Sequence, residues 1–286
     1  MALTITSSSY NGTHAGAYVS AALKTADSLD YMTIRDSVNH KEVINKVAGA
    51  DLVKDATCAF NENSATLTLT ESVLFVEPFQ VNIDICKTTM LADWSYAQQD
   101  DFVAYAMSYL TASIADSIEN SIWQGTTGTS GQFDALSTSG MSSSSASGAY
   151  TAANIIANLQ TLVSDIPAAV YGADDLYIYM NKATYRLYIQ AISALSAFPF
   201  NHMGQYTPEF EGIKIAVAPG VANTHMWAGT KSNVFFGTST ALDDMDFNQV
   251  KVLDMSDLDG SNQIRCVAKW TGGCQVGVAS DFTHQG

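Results

Sequence analysis

Residues 64–86 constrain the fold more than any other part of this 286-residue chain. On both sides of Pro78, apolar residues alternate with polar ones, at Leu67, Leu69, Val73, Phe75, Phe79, Val81, Ile83 and Ile85. A period of two predicts β-strands that are apolar on one face, here joined as one long two-stranded ribbon. Because a lone ribbon is only marginally stable in water, its apolar face needs a partner, either the same chain or a neighbouring molecule.

One long amphipathic helix is predicted after the ribbon. Its apolar residues recur every four positions, at Phe102, Ala106, Leu110, Ile114, Ile118 and Ile122. The pattern runs from Tyr96 to Trp123, and Gly125 is a typical C-terminal stop. At about 1.5 Å per residue such a helix is roughly 40 Å long.

Three other segments have weaker patterns. Residues 7–17 lack apolar periodicity and predict a mobile arm. Residues 39–48 show weak helical patterning. Residues 126–148 contain 16 Gly, Ser or Thr residues in 23 positions, which predicts a flexible loop or hinge.

The second half of the chain predicts short helices that alternate with strands. Thr151 is expected to cap a helix that stops at Pro167, and Asn181 a further helix that follows a buried strand at 176–180. Further strands are expected at residues 213–218, 225–228, 250–253, 263–270 and 274–279, the last two joined by a turn at Gly272 and Gly273.

The charge balance limits the classes of partner. The chain has 28 Asp plus Glu but only 13 Lys plus Arg, a formal net charge of −15, and no basic residue between Lys87 and Lys182. Such a surface repels polyanions, which disfavours a protein that grips nucleic acid through its phosphates. The same surface is compatible with lining a space filled with DNA, since weak repulsion allows the DNA to be packed inside and to leave again.

The chain also lacks the patterns of export and membrane insertion. No apolar run approaches the ~20 residues that cross a bilayer, and no basic segment followed by an apolar one stands at the start. Folding in the cytoplasm is therefore expected, with the four cysteines, Cys58, Cys86, Cys266 and Cys274, as reduced thiols. A pairing of Cys58 with Cys86 stays open.

No concentrated reactive site is visible. The nucleophile elbow, the P-loop, the dinucleotide fingerprint and the HExxH motif are all absent. A calcium loop with Gly260 as its invariant glycine would put Met255 and Cys266 at its first and last ligand positions, so that register fails. A solvated acidic loop is favoured for the acidic cluster, which consists of Asp243, Asp244, Asp246, Asp254, Asp257 and Asp259. We expect no catalytic residue, no cofactor and no bound metal.

Four groups of segments, in chain order, carry a family resemblance. They are Phe79–Lys87 with Trp94 after it, Ile118–Gly125, the strand and helix start at 176–185, and residues 210–220 with 232–237 and the terminal strands. Together they resemble the major capsid proteins of tailed bacteriophages, which have the Hong Kong 97-type fold. The resemblance covers residues 50 to 286, and the number, order and spacing of the motifs carry it.

The resemblance implies an α+β capsid fold with five parts. These are an N-terminal arm and linker (1–52), an extended β-ribbon loop (53–88), a peripheral domain with a long spine helix (89–150), an α/β axial domain (151–245) and strands that return to the peripheral domain (246–286). It also implies a non-enzymatic protein that assembles with itself in hexamers and pentamers into the icosahedral shell of a virion. Assembly is expected in the host bacterial cytoplasm, without a membrane.

Other partners follow from the same resemblance. They are a separate scaffolding protein, a portal, decoration or head-completion proteins, and packaged double-stranded DNA held by weak non-specific contact. Some family members join subunits through a lysine of the extended loop, and since residues 57–86 contain no lysine, no such crosslink is expected. The residues expected to form subunit contacts are Leu67, Leu69, Val73, Phe75, Phe79, Val81, Ile83, Trp94 and Trp123.

Three alternatives stay open on the sequence. An encapsulin-like compartment shares the fold but holds protein cargo. A cytoplasmic α/β enzyme would turn over substrate as a monomer. A surface adhesin or layer protein suits the Ser and Thr content but not the missing signal and the four cysteines.

Overall fold

The computed structural model describes residues 26–49, 58, 67–87, 99–126, 128–136, 139–144, 149–194, 209–239 and 249–286. For residues 99–107, 109, 249 and 250 it describes the backbone alone. The expectations for the arm at 7–17, for Trp94 and for Asp243, Asp244 and Asp246 lie outside these residues.

The described chain contains three α-helices and thirteen strands. The helices are α1 (Gln99–Gln124), α2 (Ile155–Ser164) and α3 (Lys182–Ala194). The first strands are β1 (Thr33–Arg35), β2 (Lys41–Gly49), β3 (Leu67–Phe75), β4 (Glu77–Cys86), β5 (Ser142–Ser144), β6 (Leu176–Met180) and β7 (Glu209–Phe210). The others are β8 (Ile213–Val217), β9 (Met226–Thr230), β10 (Val234–Gly237), β11 (Gln249–Asp254), β12 (Gln263–Val276) and β13 (Thr283–Gln285).

These strands form three sheets. A five-stranded sheet has the order β1-β10-β12-β11, and β4 also pairs with the long strand β12. A six-stranded sheet has the order β5-β13-β9-β6-β8-β7, and β2 pairs only with β3 in a two-stranded ribbon. The fold is therefore mixed α and β, as predicted.

The long helix α1 packs on the five-stranded sheet. Its residues Leu110, Ile114, Ile118 and Ile122 are buried, as their spacing predicted. They share one hydrophobic core with Ile264, Cys266, Ala268 and Trp270, the inward side chains of β12. The helix ends at Gln124, and the amide of Gly125 still donates to the Ser121 carbonyl.

A buried carboxylate joins α1 to two distant segments. Glu119 accepts hydrogen bonds from the Ser28 amide at 3.0 Å, from the Ser28 hydroxyl at 2.5 Å and from the Gly220 amide at 3.1 Å. The Trp123 indole donates to the same Ser28 hydroxyl at 2.8 Å. These donors compensate the burial of the Glu119 carboxylate.

A second core lies between the six-stranded sheet and α2 and α3. It contains Ile155, Leu159 and Leu162 of α2, Tyr188 of α3 and the buried strand β6. The predicted cap at Asn181 is confirmed, since its Oδ1 accepts from the Ala183 amide at 2.9 Å. The predicted cap at Thr151 is wrong: α2 begins at Ile155, after a turn in which the Thr151 amide donates to Asn154 Oδ1.

The Gly- and Ser-rich stretch after α1 is more ordered than predicted. Phe133 and Leu136 are buried in the first core, and the Leu136 amide donates to the Ile122 carbonyl at 3.0 Å. Residues Ser142–Ser144 form strand β5, which pairs in parallel with β13. Two apolar side chains and a short strand therefore fix residues 128–136 and 139–144, which are described parts of a segment whose composition predicted a free loop.

The predicted turn at Gly272 and Gly273 is wrong. Strand β12 runs through both glycines without interruption, from Gln263 to Val276. A Cβ atom at Gly273 would lie 1.8 Å from the carbonyl oxygen of Phe75, so the glycine at this position allows a close approach of two backbones.

The predicted pairing of the two alternating segments is also wrong. Strands β3 and β4 are separated by Val76 alone, which leaves too few residues for a hairpin turn. Instead β3 pairs antiparallel with β2, and β4 pairs antiparallel with β12. Residues 41–49 thus form the second strand of the ribbon, and all but the last of them lie in the segment with weak helical patterning.

No helix in the described part of the chain is both long and apolar enough to cross a membrane.

Candidate self-assembly surface

The ribbon formed by β2 and β3 has two chemically different faces. Directly opposed residues of an antiparallel pair point to the same side, so the register Val43↔Val73, Val47↔Leu69 and Lys41↔Phe75 places these six side chains together. We call this side the outward face, and it also carries Leu67, Glu71 and Asn45. The alternating residues, among them Ile44, Ser72 and Leu74, form the inward face.

The outward face is apolar and open to solvent. Its large hydrophobic side chains are Leu67 (62% exposed), Leu69 (60%), Val47 (59%), Phe75 (56%) and Val43 (41%). Contiguous exposed apolar side chains of this kind are typical of interaction surfaces in soluble proteins. Within the described residues the chain therefore leaves the apolar face of its ribbon without a cover.

The inward face holds the base of the ribbon on the body. Leu74 and Val76 are buried with Val38 and Phe235, and Ile44 packs against this cluster. The Ser72 hydroxyl donates to the Gly277 carbonyl at 2.8 Å. The outward side chains of the anchored ribbon are thus presented in a defined direction.

The predicted contact residues separate into two groups. Leu67, Leu69 and Phe75 are exposed on the outward face, and Val73 is half-buried there. Phe79, Val81 and Ile83 of β4 are only partly buried and pack against the first core, with the Phe79 ring 5.9 Å from that of Trp270.

Trp123 does not belong to the contact surface. Its side chain is 6% exposed and lies among Tyr179 and Trp227, with ring centroids 5.3 Å and 5.6 Å away. Its selection as a contact residue is wrong, because α1 turns it into the core of its own chain. Trp94, the other predicted tryptophan contact, lies outside the described residues.

Sequence reasoning missed Val43 and Val47, which belong to the same face. They lie four residues apart, a spacing that fits both a helix face and one side of a strand. A strand was indicated by the alternation of Val43, Asn45 and Val47 with Ile44 and Lys46. Placing the ribbon at residues 41–49 and 67–75 also removes the argument against a lysine crosslink, because Lys41 and Lys46 lie within it.

A second exposed sheet face carries ion pairs. The Arg265 Nε donates to Asp84 Oδ1 at 2.7 Å across β12 and β4, and this hydrogen bond lowers the pKa of Asp84. At the end of β4, Lys87 pairs with Asp254. Burial acts to raise the pKa of Asp254, but the hydrogen bonds from Lys87 and Ser256 outweigh it and hold the pKa at about 2.

The described reactive side chains include two buried thiols and one pair of histidines. Burial raises the pKa of both core thiols, Cys266 and Cys274, which keeps them protonated. His225 Nδ1 and His284 Nε2 lie 2.9 Å apart, and burial, followed by the neighbouring His225, lowers the pKa of His284 to about 4. The His284 imidazole is therefore uncharged at neutral pH and can share a hydrogen bond with His225.

Metal-binding clusters are likewise absent from the described residues. No three His, Cys, Asp or Glu side chains in that part of the chain converge on one point. In the acidic cluster, Asp254 forms an ion pair with Lys87, and Asp259 accepts a hydrogen bond from the Ser261 amide at 2.9 Å. Cys58 and Cys86 are both exposed thiols, and no disulfide joins them.

Known structures share this architecture, although no protein-family model and no curated protein matches the chain. A structure of Gordonia phage Cozz aligns with a TM-score of 0.62 at 13% identity, covering 91% of this chain and 85% of that one. The procapsid of satellite phage P4, which includes its size determination protein, aligns with a TM-score of 0.60 at 13% identity, covering 96% and 90%.

A virus-like particle from Pyrococcus furiosus aligns less closely. Its TM-score is 0.56 at 9% identity, with 96% of this chain and 98% of that one covered. At such identities the likeness concerns the fold alone. The described part of the chain has the mixed α and β fold of phage capsid subunits.

Proposed function

We propose that this chain is the major capsid protein of a tailed bacteriophage, which assembles with itself into the icosahedral shell around the double-stranded DNA genome. The observation that carries the proposal is the outward face of the β2–β3 ribbon, a row of exposed apolar side chains anchored to a body with a capsid fold. A contiguous exposed apolar face of this kind favours association with a second molecule that covers it.

A second copy of the same chain is the occupant that fits this face best. The ribbon face and the surface that receives it are different parts of the molecule, so each subunit offers one of each. Contacts of this heterologous kind close into rings and shells when every copy repeats them. We assign the extended loop to residues 41–75 and expect rings of six and five subunits, with a peripheral unit around α1 and an axial unit around α2 and α3.

The remaining partners belong to the same proposal. A separate scaffolding protein, a portal and decoration or head-completion proteins would complete the head in the host cytoplasm, and the finished location is the virion. The net charge of −15 supports weak, non-specific contact with the packaged DNA. The proposed role is structural rather than enzymatic, supported by the capsid structures that share the fold.

Negative-stain electron microscopy of the purified protein, together with sedimentation, tests the proposal. Uniform icosahedral particles, or regular tubes and rings, are expected at concentrations above a sharp threshold. A species of about 30 kDa that persists after addition of scaffold and portal proteins would refute it.

The contents of the particles separate the proposal from a protein compartment. Particles recovered from infected cells should contain nuclease-protected double-stranded DNA. A stoichiometric enzyme cargo in place of nucleic acid would instead identify a nanocompartment shell.

A further inference from the structure

A groove lies beside α1, at the point where the described chain begins. It has a volume of about 660 Å³, and Ala112 and Ala115 of α1 line it together with Ala26 and Pro219. We call it the α1 groove. Because these side chains are small, another segment of chain can approach the helix closely there. The groove therefore suits a segment with small or medium-sized apolar side chains.

The start of the described chain is fixed at this groove. Ala26 is 2% exposed, and the Asp27 carboxylate beside it pairs with Lys182 Nζ at 3.3 Å. Glu119 holds the next residue, Ser28, through its amide and its hydroxyl. Since consecutive Cα atoms are 3.8 Å apart, the two preceding residues start within about 8 Å of Ala26. Every path of the preceding segment therefore begins at the α1 groove.

The segment that precedes Ala26 has an unusual charge for this chain. Residues 1–25 contain no Asp or Glu, although the whole chain has 28, and their one Lys or Arg is Lys24. Val19, Ala22 and Leu23 have the spacing i, i+3, i+4, which is typical of one apolar side of a helix. The segment thus offers apolar side chains of suitable size and one cation close to the groove.

The α1 groove offers an acidic partner for that cation. Asp116 of α1 lines the groove and is exposed. No salt bridge among the described residues includes Asp116, whereas Asp27 is already paired with Lys182. The ribbon of a second copy fits the groove less well, because its outward face carries Glu71, which Asp116 would repel.

We propose that residues 19–25 dock in the α1 groove of their own chain, with Lys24 paired to Asp116. The apolar side of the segment then covers the alanines of α1. Attachment at Ala26 gives the segment a high effective concentration at the groove, so weak contacts are enough to hold it there. The inference goes beyond the proposed function, because it concerns the single subunit and needs no second copy.

Disulfide crosslinking of the unassembled full chain tests the docking. The exposed thiols are first removed by Cys58→Ser and Cys86→Ser. Ala22→Cys is then combined with Ala112→Cys or, as the matched control, with Ser113→Cys. Positions 112 and 113 are adjacent and both exposed, but of the two only Ala112 lines the groove.

The measured quantity is the rate of disulfide formation within one chain under mild oxidation, from non-reducing electrophoresis and peptide mass spectrometry. Thermal unfolding of the reduced proteins controls for folding. The 22–112 pair should react at least about tenfold faster than the 22–113 pair, because docking brings the first pair within the ~7 Å between Cα atoms that a disulfide can span.

A charge-reversal cycle in the 22–112 protein tests the ion pair. Asp116→Lys should slow the reaction by about two- to fivefold, the change expected of an exposed ion pair. Addition of Lys24→Glu to that variant should restore the rate. A rate that neither change alters would overturn the pairing of Lys24 with Asp116.

Other results would overturn the docking itself. Equal rates for the 22–112 and 22–113 pairs would do so. Disulfide-linked dimers of the 22–112 protein, formed in proportion to its concentration, would assign the groove to a second copy instead. None of these measurements requires particles, so a failure of the proposed function would appear separately, as the absence of assembly.

Hydrogen exchange of the wild type decides the matter if a cysteine variant does not fold. The amides of residues 19–25 should exchange at least about tenfold more slowly than those of a free peptide with the same sequence, because the docked segment is shielded from solvent. Exchange at the rate of the free peptide would overturn the inference.

Discussion

Replacing the cross-strand pair Val47 and Leu69 by serine should abolish assembly and leave the fold intact. Both side chains are about 60% exposed in the single chain, so a second copy would bury most of their area. Full burial of a Val or Leu side chain contributes roughly 1.5–3 kcal/mol, and the exposed part here corresponds to about 1–1.5 kcal/mol for each. The double variant should therefore lose about 2–3 kcal/mol per contact, or roughly 30- to 150-fold in affinity.

The matched control lies on the opposite face of the same strand. Leu74 is fully buried at the base of the ribbon, so Leu74→Ala should lower the free energy of unfolding by about 2–5 kcal/mol. The serine pair, in contrast, should change that free energy by no more than about 0.5 kcal/mol, because its side chains are exposed. Urea denaturation of the unassembled proteins measures stability, and sedimentation velocity measures assembly.

The reasoning fails if the Val47→Ser, Leu69→Ser variant assembles at the wild-type concentration. It also fails if the variant unfolds several kcal/mol more easily, since the outward face would then belong to the chain's own core.

Three further predictions concern the body of the fold. Gly273→Ala should lower the free energy of unfolding by about 3 kcal/mol in urea denaturation, because the added Cβ has no room beside β3. Gly272→Ala should lower it by less, since the nearest atom to its added Cβ lies 3.2 Å away. Equal losses of stability in the two variants would contradict this. Glu119→Ala should cost about 3–5 kcal/mol by leaving buried donors unpaired, and Glu119→Gln clearly less; the reverse order would exclude the proposed bonding. Since the pKa of His284 is lowered from 6.5 to about 4, the folded chain binds fewer protons than the unfolded chain between these values. The free energy of unfolding should therefore fall by about 1–2 kcal/mol as the pH drops from 6.5 to about 4, after allowance for solvent screening of the half-buried ring. A His284→Asn variant whose free energy of unfolding depends on pH as steeply as that of the wild type would rule this out.

Local patterns predicted those elements whose formation depends on local chemistry. The four-residue spacing of Leu110, Ile114, Ile118 and Ile122 identified α1 and its buried face. Asn181 was identified as a cap from its position alone, between a buried strand and an amphipathic helix. In both cases the residues that decide the structure lie within a few positions of one another.

Pairing between strands was less predictable because it depends on distant parts of the chain. Gly272 and Gly273 have the composition of a hairpin turn, yet Gly273 lies within β12 and allows the close approach of the backbone at Phe75. That approach joins segments about 200 residues apart, and nothing near the glycines in sequence signals it.

The candidate surface was recognised only in part for the same reason. Alternation identified Leu67, Leu69 and Phe75 as one face, but not which strand lies beside them. Val43 and Val47 are on a segment whose spacing fits a helix equally well, and only the partner strand β3 decides between the two. Likewise, Trp123 is buried because of the way α1 packs on the rest of the chain. An apolar pattern alone does not show which side of the helix faces that core.

A cryo-electron microscopy reconstruction of the assembled particle tests the central claim most directly. It should show a closed shell of this chain, in which the outward face of each β2–β3 ribbon lies against a neighbouring copy and excludes water from Leu69 and Val47. Particles whose ribbons stand free in solvent, or preparations without particles in the presence of scaffold, would contradict the account.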